Sequence, residues 1–199
     1  MSEKYSLEKA PEESESEKTF EQQKSEKEAF WNNKFHEVQA YQDLAGNKMD
    51  EGIMETVTAL NVNDIPTTQS CAGHTEKGMM PWVQIQYPGR PEGIYKKSDV
   101  TPEYEKWREK EKAFEEGVKR LLEEFSSGRE TKSGLTLKLD ESNAITSINK
   151  DTEEIYANDP TGVKPLTKQE KAKLMILIPL AQEEMRAFSV FLKEKFFEE

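Results

Sequence analysis

The chain has 199 residues, of which 34% are apolar and 34% are charged, and its net charge is −11. This length fits one domain with tails, and an acidic surface repels phosphate backbones, so general nucleic-acid binding is disfavoured. A single cysteine excludes an internal disulfide, and the longest apolar run, residues 174–181, is too short to span a bilayer. We therefore expect a cytoplasmic protein that has no membrane contact.

The N-terminal segment differs in composition from the rest of the chain. Residues 1–24 are dominated by glutamate, serine and lysine, with few large apolar side chains. Such a segment cannot bury enough apolar surface to offset the entropy that it loses on ordering. The composition predicts a disordered acidic tail over residues 1–24, followed by a single domain over residues 25–199.

Four segments carry apolar residues at helical spacing, so we predict helices in each of them. They are residues 25–44, residues 49–62, residues 101–125 and the segment that follows a capping box at residues 167–170. Pro179 lies inside the last of these and is expected to kink or split it, because proline removes a backbone hydrogen bond. Residues 151–165 contain turn formers and are predicted to be a loop.

Strand patterns occur at four places, residues 67–71, 79–87, 135–139 and 144–148. The third alternates apolar and polar residues with period two, and a short turn joins it to the fourth, which indicates a hairpin. Together with the helices, the strands predict an α+β fold. We expect a small, mostly antiparallel sheet packed against several helices, the last of which is long.

The chain's only cysteine and one of its two histidines lie together in the segment Ser-Cys-Ala-Gly-His at residues 70–74. A cysteine beside an imidazole can become a thiolate nucleophile, so Cys71 and His74 are the catalytic candidates. The structural alternative is that Cys71 is a small buried strand residue and His74 a polar turn residue.

The residues around this turn suit a polar or anionic ligand. Thr67, Thr68 and Ser70 supply hydroxyl groups, and the Gly73 turn at the strand end is expected to leave backbone amides unpaired. Trp82, in the next strand, can stack on a planar ring. The alternative is that threonine simply favours strands, that serine favours turns and that Trp82 belongs to the core.

Metal binding by cysteine and histidine alone is not predicted. Structural zinc usually takes four such ligands, and the chain has only Cys71, His36 and His74. A mixed site that includes aspartate or glutamate remains open, although nothing in the residue spacing supports it. The residues indicate no particular cofactor.

Part of the chain resembles the wybutosine-synthesis tRNA methyltransferase family, the third-step enzyme of that modification. The matching residues are Asp50, Ile53, Leu60, Asn61, Thr67, Thr68, Ser70, Cys71 and Gly73. The resemblance implies an α+β fold that uses S-adenosylmethionine on tRNA. The chain departs from the family at His74, where the family has arginine, and at Gln69, where it has serine.

A second resemblance covers residues 60–85 more continuously. The Ser-Cys-x-Gly-His turn followed by Pro-Trp-Val is similar to a set of small bacterial and phage proteins of unassigned function, and it implies no activity. Three hypotheses follow: a domain that binds a polar small molecule at residues 67–82, as a binder or an enzyme; a non-catalytic interaction or structural protein; and a methyltransferase-like protein. The oligomeric state is left open.

Overall fold

The computed structural model of the protein describes residues 19–42, 46–92, 101–157 and 166–198. Most of the predicted tail, residues 1–18, lies outside these ranges. The described residues form five α-helices and a four-stranded sheet. In chain order the elements are α1 (Phe20–Ala40), α2 (Glu51–Val62), β1 (Thr67–Cys71), β2 (Trp82–Ile85), α3 (Pro102–Ser126), β3 (Thr136–Leu139), β4 (Ala144–Ile148), α4 (Lys150–Ala157) and α5 (Lys168–Glu198).

The sheet has the strand order β1-β2-β4-β3, and every neighbouring pair is antiparallel. Two pairs, β1 with β2 and β3 with β4, are consecutive in the chain, and the pairing of β2 with β4 joins them. The predicted α+β fold, with its antiparallel sheet and long C-terminal helix, is confirmed. None of the described helices combines the length and the hydrophobicity needed to cross a membrane.

The two faces of the sheet differ in burial. One face carries Val83, Ile85 and Ile145, which are at most 2% exposed and belong to the main core with α1, α2, α3 and α5. The other face carries Trp82 and Thr146, which are only half-buried. The helices therefore cover one face of the sheet and leave the other accessible, as is common for antiparallel sheets.

Helix α2 and strand β1 run side by side in opposite directions. A helix of 12 residues is about 18 Å long and a strand of five is about 17 Å long, so the start of α2 lies beside the end of β1. At the other end, Asn61 Nδ2 donates to Thr67 Oγ1 (3.2 Å) and the Thr67 amide donates to Asn61 Oδ1 (3.3 Å). This antiparallel pair brings Asp50, the N-cap of α2, to the Cys71 end of β1.

Three local expectations differ from the structure. Helix α1 begins at Phe20, five residues before the predicted start, because a capping box at Thr19 satisfies its first amides. The predicted loop at 151–165 is wrong in its described first half, where α4 forms after reciprocal hydrogen bonds between Asn149 and Thr152. Pro179 does not split α5, which is one helix through that exposed position.

Candidate functional site

Four side chains stand in one row across the accessible face of the sheet. The register pairs Cys71 with Trp82, Trp82 with Thr146 and Thr146 with Lys138, one residue from each strand. Residues opposite each other in antiparallel strands share a face and are close neighbours. The thiol of Cys71 is therefore next to the half-buried indole of Trp82, while Lys138 is three strands away.

The predicted hydroxyl residues do not all face this row. Thr67 pairs with Ile85 and Ser70 pairs with Val83, so the side chains of Thr67 and Ser70 both lie on the helix-covered face. The Thr67 hydroxyl is also engaged by Asn61 in holding α2 against β1. The structure thus gives Thr67 a structural role and separates Ser70 from Cys71 and Trp82.

An irregularity in β1 explains this division. The register shifts between Thr67 and Gln69, which leaves Thr68 as an extra residue opposite β2. The exposed Thr68 hydroxyl donates to Gln84 Oε1 (3.4 Å), and Gln84 belongs to the accessible face. Because one extra residue exchanges the two faces, the bulge turns Thr67 away from the face that holds Cys71.

The amides at the end of β1 are not free. The Ala72 amide donates to Asp50 Oδ2 (3.2 Å), and the Gly73 amide points to Cys71 Sγ (3.4 Å). The expectation that this turn presents unpaired amides to an anionic ligand is therefore wrong. The chain turns tightly after β1, so the Gly73 amide reaches the sulfur of Cys71 in the same segment. The Ala72 amide is bound instead by the carboxylate of Asp50, the N-cap of α2.

The hairpin after the turn is held by a tyrosine from α4. His74 and Met79 exchange both backbone hydrogen bonds (2.9 and 3.0 Å). The Tyr156 hydroxyl donates to the Gly78 carbonyl (3.0 Å) and accepts from the Met80 amide (3.3 Å). Burial raises the pKa of Tyr156, so this hydroxyl keeps its proton and remains a donor.

The turn is also packed tightly against α5. Gly73 has φ of +88°, and a Cβ at this position would lie 3.0 Å from Pro81 and 3.2 Å from Ile178. Gln182 donates from Nε2 to the Ala72 carbonyl (2.7 Å). Glycine is required here by both conformation and space, and the turn has little freedom to move.

Three side chains with different donor atoms converge at this turn. Asp50, Cys71 and His74 each offer one atom, and the three atoms lie within 4.8 Å of one another. The distance between His74 Nε2 and Asp50 Oδ2 is 3.5 Å. The imidazole is 38% exposed and the carboxylate 41%, whereas Cys71 is only 6% exposed. Cys71 is buried, so the expectation of an accessible Cys71 is not met.

Two of these three residues are candidates on the sequence alone. Cys71 and His74 were predicted from their rarity and their spacing, whereas Asp50 entered only through the methyltransferase resemblance. No signal in the residue spacing joins Asp50 to a turn that begins 21 residues later. The similar lengths of α2 and β1 would place Asp50 beside Cys71, but only if the two elements are known to pack together in opposite directions.

A groove elsewhere on the molecule offers a contrast. It has a volume of about 660 Å³ and lies between α1 and the end of α5, with Lys27, Trp31, Lys193 and Phe197 in its lining. Among the described residues that line it there is no thiol or imidazole. The cysteine, and the histidine that lies near it, therefore stand outside this groove, at the β1–β2 turn.

No family model, curated protein or solved structure shows a significant similarity to this chain. The geometry of the turn is therefore what supports a functional assignment.

Proposed function

We propose that this protein binds a polar small molecule on the accessible face of the sheet, between Trp82 and the Cys71–His74 turn. One observation carries this proposal, namely that Asp50, Cys71 and His74 converge beside the half-buried indole of Trp82. Small-molecule sites usually combine an aromatic surface with a few polar groups that fix the orientation of the ligand. The helices leave this face of the sheet open to such a ligand.

The groups at the turn indicate the class of ligand. The indole of Trp82 provides a surface for a planar ring. The imidazole of His74 can donate or accept a hydrogen bond, and the Asp50 carboxylate accepts one from a donor on the ligand. A carboxylate in a chain of net charge −11 disfavours polyanions. A neutral or cationic molecule with a planar group and a hydrogen-bond donor fits best.

The binding proposal is tested by screening polar metabolites of this class for thermal stabilisation of the full chain. For each compound that binds, we expect Trp82→Phe and His74→Ala to weaken affinity by about fivefold, because stacking and one hydrogen bond each contribute on the order of 1 kcal/mol. Lys138→Gln is the matched control. It lies on the same face but about 14 Å from Cys71, at about 4.8 Å per strand.

The pattern of these variants decides the proposal. Compounds whose affinity falls in Trp82→Phe and His74→Ala but not in Lys138→Gln support it. Compounds that bind all three variants as tightly as the wild type place the site elsewhere and overturn it. That second result would favour a non-catalytic interaction protein, with the turn serving only to hold β1 and β2 together.

A catalytic role for Cys71 and His74 is a second candidate function. It is favoured by the 3.5 Å distance between Asp50 Oδ2 and His74 Nε2, because a carboxylate this close can orient the imidazole of a thiol catalyst after a small shift into hydrogen-bond range. Thiol labelling at neutral pH tests it in the native protein and in His74→Ala. Fast labelling that slows in the variant supports catalysis, whereas labelling only after denaturation excludes it.

S-adenosylmethionine is the ligand that the methyltransferase resemblance offers. We predict that the chain does not bind it with micromolar affinity, because His74 stands where that family has arginine and an imidazole lacks the bidentate, permanently charged fork of a guanidinium. Calorimetry with the full chain measures this directly. Micromolar binding would contradict the prediction and support a methyltransferase-like function.

A further inference from the structure

We propose that Asp50, Cys71 and His74 bind one divalent transition metal ion of the zinc type. The three side chains supply the donor atoms that zinc prefers, a thiolate sulfur, an imidazole nitrogen and a carboxylate oxygen. They come from the N-cap of α2, the end of β1 and the hairpin that follows. This inference does not depend on the small-molecule proposal, because metal binding is measured with no other ligand present.

The distances fit a tetrahedral ion. Zinc bonds of about 2.0–2.3 Å place neighbouring ligand atoms about 3.3–3.8 Å apart in a tetrahedron. His74 Nε2 and Asp50 Oδ2 are 3.5 Å apart, and no pair among the three donor atoms is separated by more than 4.8 Å. A side-chain rotation that moves a donor atom by about 1 Å would bring the longest of these separations into the tetrahedral range.

The imidazole and the carboxylate do not satisfy each other. At 3.5 Å, Nε2 and Oδ2 lie beyond the usual N–H···O range of about 2.7–3.2 Å. Within the described part of the chain, no residue gives the imidazole a shorter hydrogen bond. Two polar groups held close without a mutual hydrogen bond are what a shared cation requires.

Backbone groups orient the three donors. The Ala72 amide donates to Asp50 Oδ2 at 3.2 Å, and the Gly73 amide donates to Cys71 Sγ at 3.4 Å. An N–H aimed at sulfur stabilises the negative charge of a thiolate. His74 is positioned by its two backbone hydrogen bonds to Met79. Such outer contacts orient metal ligands and are normal parts of metal sites.

The site is open on one side. The side chains of His74 and Asp50 are 38% and 41% exposed, whereas Cys71 is 6% exposed. An ion can therefore reach the imidazole and the carboxylate from solvent. Three protein ligands leave a fourth position for water or a polar ligand, which is the arrangement of catalytic rather than structural zinc.

The experiment titrates the full-length chain, stripped of metal by a chelator, with Zn²⁺ by calorimetry and with Co²⁺ by absorption spectroscopy. We expect one ion per chain and, for Co²⁺, the intense near-ultraviolet charge-transfer band of a thiolate ligand. Cys71→Ser, His74→Gln and Asp50→Asn should each weaken Zn²⁺ binding by more than about 100-fold, because even outer-shell changes cost about 10- to 100-fold. Asp50→Asn keeps an oxygen for the Ala72 amide and should fold.

Two matched controls come from the chain itself. His36→Gln changes the other histidine, which is exposed on α1, and Glu51→Gln changes the exposed carboxylate next to Asp50. Both should bind zinc as the wild type does, and Trp82→Phe should also keep the metal. A variant that loses zinc binding but still binds the small molecule, or that loses the small molecule but still binds zinc, therefore distinguishes the two proposals.

Several results would overturn the metal site. They are the absence of saturable binding, equal affinity in Cys71→Ser and wild type, and loss of binding in His36→Gln or Glu51→Gln. The charge-transfer band needs no variant, so it tests thiolate ligation even if Cys71→Ser or His74→Gln fails to fold. A Co²⁺ complex without that band contradicts the proposal.

Discussion

At the scale of single residues, Gly73 controls the shape of the turn that holds the candidate site. It combines a φ of +88° with neighbours at 3.0 and 3.2 Å from the position of a Cβ. Gly89 has a similar φ of +72° but nothing within 4 Å of that position. The two glycines therefore separate the effect of conformation from the effect of space.

We predict that Gly73→Ala destabilises the protein by at least about 1 kcal/mol more than Gly89→Ala. A left-handed conformation costs an alanine roughly 1–2 kcal/mol at either position, and overpacking adds about 1–3 kcal/mol at Gly73 alone. Urea unfolding of both variants measures the difference. Equal losses would mean that Pro81 and Ile178 move aside without cost.

Tyr156 acts on the same hairpin from α4. We predict that Tyr156→Phe lowers the free energy of unfolding by about 1–3 kcal/mol at pH 7, because the Met80 amide loses its partner and the Gly78 carbonyl its donor. Tyr41→Phe, at a tyrosine that is 52% exposed, is the control and should change little.

We also predict that the stability difference between wild type and Tyr156→Phe depends on pH. Burial raises the pKa of Tyr156 above its ordinary value of about 10, so the folded state holds this proton more firmly than the unfolded state. Its contribution is fully present below pH 10 and is lost as the pH rises from there through the folded pKa. The stability difference between wild type and Tyr156→Phe should therefore shrink above pH 10. A constant difference up to pH 11 would contradict this.

At the scale of elements, α3 shows how far a helical pattern predicts packing. The stripe predicted for residues 101–125 is amphipathic as expected, but burial varies along it. Phe125, near the C-terminal end, is 4% exposed and its ring centroid lies 5.1 Å from that of Phe188. Phe114, in the middle of α3, is only half-buried, and its ring centroid lies 5.6 Å from that of Tyr87. Of these two rings, Phe125 is therefore within the core and Phe114 packs against its edge.

We predict that Phe125→Ala destabilises by about 3–5 kcal/mol and that Phe114→Ala costs less by at least about 1 kcal/mol. The reason is that a buried ring leaves a cavity, whereas a half-buried ring is replaced in part by water. Chemical denaturation of the two variants makes the comparison. A larger loss for Phe114→Ala would mean that the middle of α3, rather than its C-terminal end, makes the stronger core contact.

At the scale of the whole molecule, composition predicts a tail and a domain, and α1 bears on the boundary between them. Thr19 caps α1, and Trp31 and Val38 from this helix are 7% exposed within the core. Helix α1 therefore begins within the segment predicted as a tail, five residues before residue 25.

We predict that deletion of residues 1–18 changes the melting temperature by less than about 5 °C, because their composition favours solvation over packing. Deletion of residues 1–24 should lower it further, since it removes the Thr19 cap and the first turn of α1, and loss of a cap costs about 1 kcal/mol. Scanning calorimetry of the two truncated chains distinguishes them. A drop of more than about 5 °C for the shorter deletion would show that residues 1–18 are docked on the domain.

The sequence by itself predicts those features that are local. Helix caps, period-two and helical spacing act between residues a few positions apart, so α2, α3, β1, β4 and α5 are found within a few residues of their observed bounds. Helix α4 was missed because its eight residues bury only Thr152 and Ile155, too few to form a visible period. Cys71, Gly73 and His74 were noticed for their chemical rarity, which is also visible without a fold.

Only the tertiary structure decided which of these groups meet. It brings Asp50 to Cys71 because α2 and β1 have matching lengths and pack antiparallel, and no pattern of neighbours in the chain records that length match. It turns Thr67 to the covered face because one extra residue at Thr68 shifts the register of β1, whereas Ser70 faces away from Cys71 by the ordinary alternation of a strand. The first depends on how α2 packs against β1, and the second on the register of β1 with β2. Both are fixed by contacts between side chains that are distant in sequence.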